Sequence, residues 1–278
     1  MIQLTVDDDF DLNKIMASGQ CFRAAAGPDG TCFFITGSHI LYLRQTGAGL
    51  SGVSLEAECS VREWQEIWYP YFDLGRSYRA VTARISADDA YLAAAAAFSR
   101  GIRVLRQDPW EMLISFLLSQ RKNIPAIRKS IASLCRLCGT PQETSRGTVY
   151  LFPAPAALAG LSDSELKSCG AGYRVPYLQD AARRVLAGEL DTAHLQLLSD
   201  PELLASLKGV LGVGDKVAGC VALFAFGRGC CVPVDVWISR TLQKYYPEGS
   251  PLAPYGEDAG ILQQFLFYYA LQHREELS

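Results

Sequence analysis

Residues 207–227 read Leu-Lys-Gly-Val-Leu-Gly-Val-Gly-Asp-Lys-Val-Ala-Gly-Cys-Val-Ala-Leu-Phe-Ala-Phe-Gly, and residues 232–237 read Val-Pro-Val-Asp-Val-Trp. A helix from Asp200 to Leu207 leads in, with Asp200 as its cap and Pro201 at the first helical position, where a missing N–H costs nothing. Gly209, Gly212 and Gly214 break the chain, and a second helix is expected from about Asp215 to Phe226, ending at Gly227. Helix, glycine hairpin, helix turns backbone N–H groups and a positive helix end outward, a ready site for one phosphate. On the glycines alone a ligand-free αα-hairpin fits equally well. Two residues tilt the balance towards chemistry. Lys216 sits in the first turn of the second helix, and Asp235 stands where a new helix should start after Pro233.

Outward from this stretch, residues 1–58 favour strands. Thr31–Thr36 and Ile40–Arg44 are β-rich runs separated by Gly37-Ser38-His39, a hairpin signal. Asp11 to Ser18, Glu56 to Phe72 and Asp88 to Ser99 read as helices. From Asp108 onward helices dominate. Asp108-Pro109-x-Glu111 combines an N-cap, a first-turn proline and a capping-box glutamate, and Ser162-x-x-Glu165 starts another helix. Further helices are expected over 123–138, 174–186, 236–245 and 256–274. The fold class is α+β: an N-terminal antiparallel β-sheet domain over 1–105, then a mostly helical domain over 106–278.

The chain has 278 residues, is 49% hydrophobic and 20% charged, and carries a net charge of −3. That composition fits a packed globule, and no apolar run has the length a membrane helix needs. Nine cysteines without framework spacing, and no leader-like start, point to a reducing cytoplasm. Cys135-x-x-Cys138 is a weak metal or redox signal against the simpler reading of two thiols on an apolar helix. A slightly acidic total argues against global steering by nucleic acid. Locally, however, Arg100, Arg103, Arg106, Arg121, Lys122, Arg128, Lys129 and Arg136 face only Asp108 and Glu111, enough for phosphate contacts.

Gly-Val-Gly-Asp-Lys-Val-Ala followed by Val-Pro-Val-Asp-Val resembles the helix-hairpin-helix, Gly/Pro-rich, Asp-ending (HhH-GPD) motif of base-excision DNA glycosylases. Ser-Gly-Gln-Cys-Phe-Arg (18–23), Gln-Asp-Pro-Trp-Glu (107–111), Gly-Ala-Gly-Tyr-Arg (170–174), Gln263 and Phe267 extend the likeness over nearly the whole chain. Within the superfamily it is most similar to the 8-oxoguanine DNA glycosylases with AP-lyase activity. The chemistry agrees. A broken N-glycosidic bond leaves oxocarbenium character at C1′, which a carboxylate stabilises and a neutral amine can attack to form an imine. The resemblance makes Lys216 the nucleophile and Asp235 its activator. It sets Cys220 and Phe267 against the faces of a flipped base and Gln263 on its Watson–Crick edge. It also puts the Gly19 carbonyl on the N7–H that 8-oxoguanine has and guanine lacks.

The same resemblance assigns Arg121, Lys122 and Asn123 to the loop that enters the DNA, although relatives carry Asn-Asn-Asn there and only Asn123 survives. Tyr173 becomes a wedge beside the orphan base, Arg174 its contact, Gly212 and Gly214 phosphate ligands, and Trp237 a donor where relatives have histidine. Leu211 replaces a common proline. The carbonyls of Lys208, Val210 and Val213 form a candidate site for a structural monovalent or calcium ion. No cysteine follows Cys231, so no iron–sulfur cluster and no other cofactor is expected. The expected partner is duplex DNA containing 8-oxoguanine, bound by a monomer without membrane association. Relatives that demand cytosine opposite the lesion use two arginines, of which only Arg174 is present; the other position is Ala126. The rival readings are a glycosylase of the same fold for alkylated purines, which needs no lysine, and a non-enzymatic helix-hairpin-helix module, which needs neither Asp235 nor Cys220 and Phe267.

Overall fold

The computed structural model describes residues 1–49 and 52–277. An antiparallel sheet runs in the order β1-β5-β4-β3-β2, formed by β1 (Ile2–Val6), β2 (Ala25–Ala26), β3 (Cys32–Thr36), β4 (His39–Gly49) and β5 (Gly52–Ala57). Alternation builds it: Cys32, Phe34, Leu41, Leu43, Leu55 and Ala57 are all at most 2% exposed, the period of two that buries one face of a strand. A short helix α1 (Leu12–Ala17) is capped by Asp11, whose carboxylate accepts from Lys14 N–H at 3.0 Å.

The helix expected over 56–72 begins later. Glu56 and Ala57 belong to β5, where Ala57 pairs with both Ile2 and Leu43 and Glu56 meets Arg44 across the ladder. Helical structure starts at Val61, capped by Ser60, and passes through a π turn at Trp64–Trp68. That stretch lays aromatic rings under the sheet, with Phe34 and Phe72 edge-on at 5.1 Å.

The described chain forms two compact units. The first holds Met1–Ile35, His39–Arg106 and everything from Gly227; the second holds Gln107–Phe226 with Thr36–Ser38. Compactness therefore groups residues differently from a linear division at 105/106, because the last helices pack on the first unit. These are α8 (Val236–Tyr245) and α9 (Ala259–Gln272). The alanines of α2 (Ala90–Ser99) admit α9 closely: Ser99 Oγ donates to Phe265 O at 3.1 Å, and Tyr91 stacks on Tyr245 at 3.9 Å.

Arg103 is the anchor of this unit. It is 0% exposed. Its Nε donates to Phe72 O at 3.2 Å, Nη1 to the Asp8 carboxylate at 3.2 Å, Nη2 to Arg76 O at 2.9 Å and to Asp73 O, and its plane lies 3.6 Å from the Tyr78 ring centroid. Burial of Asp8 alone would raise its pKa; the backbone N–H groups of Asp9, Tyr78 and Arg79, with the Arg103 charge, outweigh that and lower it.

The second unit is helical, with α3 (Pro109–Ser119), α4 (Ile124–Cys138), α5 (Val175–Leu186), α6 (Asp200–Lys208) and α7 (Asp215–Phe224). Asp108 caps α3, accepting from Glu111 N–H at 2.8 Å, and Ser162 with Glu165 forms the expected capping box. Two boundaries move. The cap of α6 is Ser199 rather than Asp200, because Glu202 reaches back to Ser199 N–H at 3.0 Å and leaves Asp200 as the first helical residue. Helix α7 stops at Phe224, two residues before the expected end. A small hairpin, β6 (Pro141–Thr144) with β7 (Gly147–Tyr150), was not expected; its strands are short and lack alternating apolar residues. No helix among the described residues is long and apolar enough to cross a membrane.

Replacing Arg103 by Met should cost about 3–5 kcal/mol, because it strands the Asp8 carboxylate and the carbonyls of residues 72, 73 and 76 without their donor. Urea unfolding measures this, and a loss below about 1 kcal/mol would show that solvent already satisfies the cluster.

Candidate active site

The glycine hairpin lies in the second unit between α6 and α7. Gly212 has φ 85°, and a Cβ there would stand 2.4 Å from Tyr177 Cδ2 on α5, so both conformation and space require glycine. Its carbonyl accepts from Gln120 Nε2 at 3.1 Å, and Leu211 N–H donates to Asp180 Oδ2 at 2.9 Å. Burial pushes the Asp180 carboxyl up, but Leu211 N–H and the Arg184 and Arg183 guanidinium groups more than offset this and lower its pKa. The proline that relatives place at 211 would lose this N–H, so leucine here is part of a different tie. Gly214 is the N-cap of α7, and a Cβ added to it would meet nothing within 4 Å. The start of α7 is therefore open to a ligand. Val210 O accepts from Val213 N–H at 3.0 Å, which occupies part of the lone-pair capacity of one of the three carbonyls proposed for a cation.

Lys216 follows in the first turn of α7, half-buried, with Nζ 5.2 Å from the Phe116 ring centroid of α3. Cys220, one turn on, is 4% exposed. Gln120 also links the hairpin to the residue before α5: its carbonyl accepts from Arg174 Nη2. Arg174 is 5% exposed, donates to Ala171 O at 3.2 Å, stacks at 4.3 Å on the half-exposed Tyr173 ring, and has an Nε without a partner. Lys122 points inward, donating to Ser130 Oγ and Gly170 O, both at 2.7 Å; burial, then the Arg174 charge, lowers its pKa. Asn123 caps α4 through Ala126 N–H at 2.9 Å. Arg121 is exposed at the loop tip with φ 52°, a left-handed conformation costly for a non-glycine residue.

The first unit carries the other residues, and α9 gathers them. Gln263 is 3% exposed, its Nε2 donates to Pro233 O at 3.3 Å, and its buried Oε1 has no partner. Two residues beyond Pro233, Asp235 caps α8, accepting from Trp237 and Ile238 N–H at 3.0 and 2.9 Å. Trp237 lies between the guanidinium groups of Arg240 and Arg274, 5.4 and 5.7 Å from its ring. Gln264 donates to Ser18 O at 2.6 Å, tying α9 to the turn at Gly19, where φ is 78°. Phe267 is half-buried one turn beyond Gln263. Sequence reading missed Gln120, Tyr177, Asp180 and Gln264. Only Gln264 left a signal, as one of two adjacent amides in the apolar run Ile-Leu-Gln-Gln-Phe-Leu-Phe.

A glycine hairpin leading into a lysine-bearing helix, with an aspartate-capped helix after it, defines a helix-hairpin-helix DNA glycosylase as a class. The comparisons narrow this. The 8-oxoguanine DNA glycosylase N-terminal domain family matches residues 1–113, and the HhH-GPD superfamily of base excision DNA repair proteins matches residues 114–251. The crystal structure of Clostridium acetobutylicum 8-oxoguanine glycosylase/lyase, in complex with double-stranded DNA containing cytosine opposite 8-oxoguanine, superposes with a TM-score of 0.87 at 30% identity, covering 99% of each chain. The Arabidopsis thaliana N-glycosylase/DNA lyase OGG1 is 30% identical over 94% of this chain and 77% of its own. A probable N-glycosylase/DNA lyase of Methanothermobacter thermautotrophicus is 31% identical over 62% of this chain, and the match spans 64% of that protein. The chain belongs to the 8-oxoguanine DNA glycosylase/AP lyases of the HhH-GPD superfamily.

The two hairpin glycines should separate by experiment. Gly212→Ala is expected to lower stability by about 1–3 kcal/mol through strain and the Tyr177 clash. Gly214→Ala, at an open cap position, should cost under about 1 kcal/mol. Equal losses in chemical denaturation would refute the distinction.

Proposed function

We infer that this protein is a bifunctional DNA glycosylase/AP lyase that removes 8-oxoguanine from duplex DNA. One observation carries the reading: the Oε1 of Gln263 is buried without a partner, on the helix that also holds the Gly19 turn. A buried acceptor left unmet is costly, and a donor on a ligand is what would relieve it. The Gly19 carbonyl is a second acceptor. 8-Oxoguanine offers donors to both, N7–H to Gly19 and its Watson–Crick N–H groups to Gln263. Guanine has a lone pair at N7 and would set acceptor against acceptor.

In this reading the open start of α7 and the hairpin N–H groups take a phosphate, with Gly214 keeping the approach clear. Cys220 and Phe267 contact the faces of the flipped base. The lone pair of Lys216 Nζ attacks C1′, the bond from C1′ to N9 breaks, and the base leaves with its electron pair and takes a proton. Asp235 stabilises the positive charge that develops on the sugar; its side chain is already oriented by two backbone N–H groups. The bound amine, having lost a proton, then gives its lone pair to C1′ as the C1′–O4′ bond breaks, which leaves an iminium and an O4′ that takes up that proton. Loss of a C2′ proton then expels the 3′ phosphate and cuts the strand. None of this needs a cofactor. Such an enzyme works where the genome is, and none of the nine cysteines forms a disulfide among the described residues, in keeping with a reducing compartment.

Lys216→Gln should abolish excision and the covalent adduct trapped by borohydride on an 8-oxoguanine duplex, while lesion binding persists. Near-normal excision by this variant would remove Lys216 from the nucleophile's role.

The base opposite the lesion should be read weakly. Arg174 is turned to the carbonyls of Ala171 and Gln120 and keeps only Nε without a partner, and Ala126 has no side-chain donor. Excision opposite A, G or T is expected within about tenfold of that opposite C, since about 1.4 kcal/mol corresponds to a factor of ten. Single-turnover rates on four duplexes decide this; a hundredfold preference for C would show that another residue reads the orphan base.

A further inference from the structure

The Ser18-Gly19-Gln20 turn is held from both sides by buried amides. Gln264, 2% exposed, donates from Nε2 to Ser18 O at 2.6 Å. Gln20, 1% exposed, donates from Nε2 to Ser18 Oγ and to Arg103 O, both at 2.8 Å, and its Oε1 accepts from Leu105 N–H at 2.7 Å. Ser18 Oγ in turn donates to Ile15 O at 2.7 Å, at the end of α1. Gly19 itself sits at φ 78°, half-buried, and among the described residues no donor reaches its carbonyl.

The consequence is geometric. Gln264 fixes the peptide plane entering Gly19, and Gln20 fixes the residue leaving it. Glycine would otherwise swing its carbonyl freely, and a free carbonyl is a poor discriminator. The two neighbouring amides of α9 face different tasks. Gln263 reaches Pro233 O and presents an unmet acceptor, while Gln264 secures Ser18. One rigid helix thus sets the distance between two reading groups. We propose that Gln264, with Gln20, is a positioning residue for lesion specificity: it aims the Gly19 carbonyl at the N7–H of the base. The proposal rests on the reading of Gly19 given above.

The test compares two reactions of the full-length protein. Gln264→Met keeps length and removes the donor. Single-turnover excision of 8-oxoguanine should fall about tenfold or more, since a reading group displaced by about 1 Å can cost as much as a hundredfold. Strand cleavage at a preformed abasic site, which has no base to read, should stay within about twofold. Excision at the wild-type rate overturns the proposal. So does a parallel fall of both reactions, which would make the amide merely structural. If Gln264→Met does not fold, Ser18→Ala carries the same comparison, because it severs Gln20 from residue 18 and leaves the backbone intact. Gly19→Ala separates the two levels. Unchanged excision in that variant removes the underlying reading of Gly19. Slowed excision there, with Gln264→Met unaffected, removes the positioning role alone.

Discussion

A guanidinium with no exposed surface has to find every acceptor inside the protein, and Arg103 organises the first unit on that condition. Its acceptors come from residues 8, 9, 72, 73 and 76, and Tyr78 covers its face. The chain on either side is therefore pinned as well: Val104 N–H donates to the Tyr78 hydroxyl and Leu105 N–H to the Gln20 amide. Through Gln20 the same cluster reaches the Gly19 turn. A buried cation thus bears on how that turn is held.

The second unit solves a different problem, which is to hold a backbone hairpin still while leaving the start of α7 open. It does so with side chains that approach from behind. Tyr177 fills the space beneath Gly212, Asp180 takes Leu211 N–H, and Gln120 takes Gly212 O. Because Gln120 also accepts from Arg174, the hairpin and the residues expected beside the orphan base share one support. Arg174 is thereby partly structural, and Lys122, for which a place at the DNA was expected, donates to Gly170 O and Ser130 Oγ.

Much of this was legible from residues alone, for physical reasons. Hairpin glycines, capping residues such as Asp108 and Ser162, and alternating strands act locally, so their signatures sit within a few positions of one another. Lys216 and Asp235 stood out as candidates because they lie in a motif with fixed spacing, whereas Gln263 and Phe267 became candidates only through the family resemblance. Partners across the fold were not. Nothing in the sequence around Asp180 announces Leu211, and nothing near Ser18 announces Gln264. The misplaced start of the helix after β5 has the same origin: Glu56 and Ala57 suit a helix locally, and pairing with Ile2, Leu43 and Arg44 decides otherwise.

The return of the chain from Gly227 to the first unit has a consequence for the order in which the protein comes into being. During translation the second unit is made before the first can be finished, because helix α9 follows it in the chain. Until then the aromatic face of α2 lacks Tyr245 and Tyr269, and Ser18 lacks Gln264. The nascent polypeptide thus acquires its glycine hairpin and Lys216 before Gln264 can secure the turn at Gly19. A ribosome-bound intermediate would hold a finished hairpin while its Ser18-Gly19-Gln20 turn was still tied from one side only.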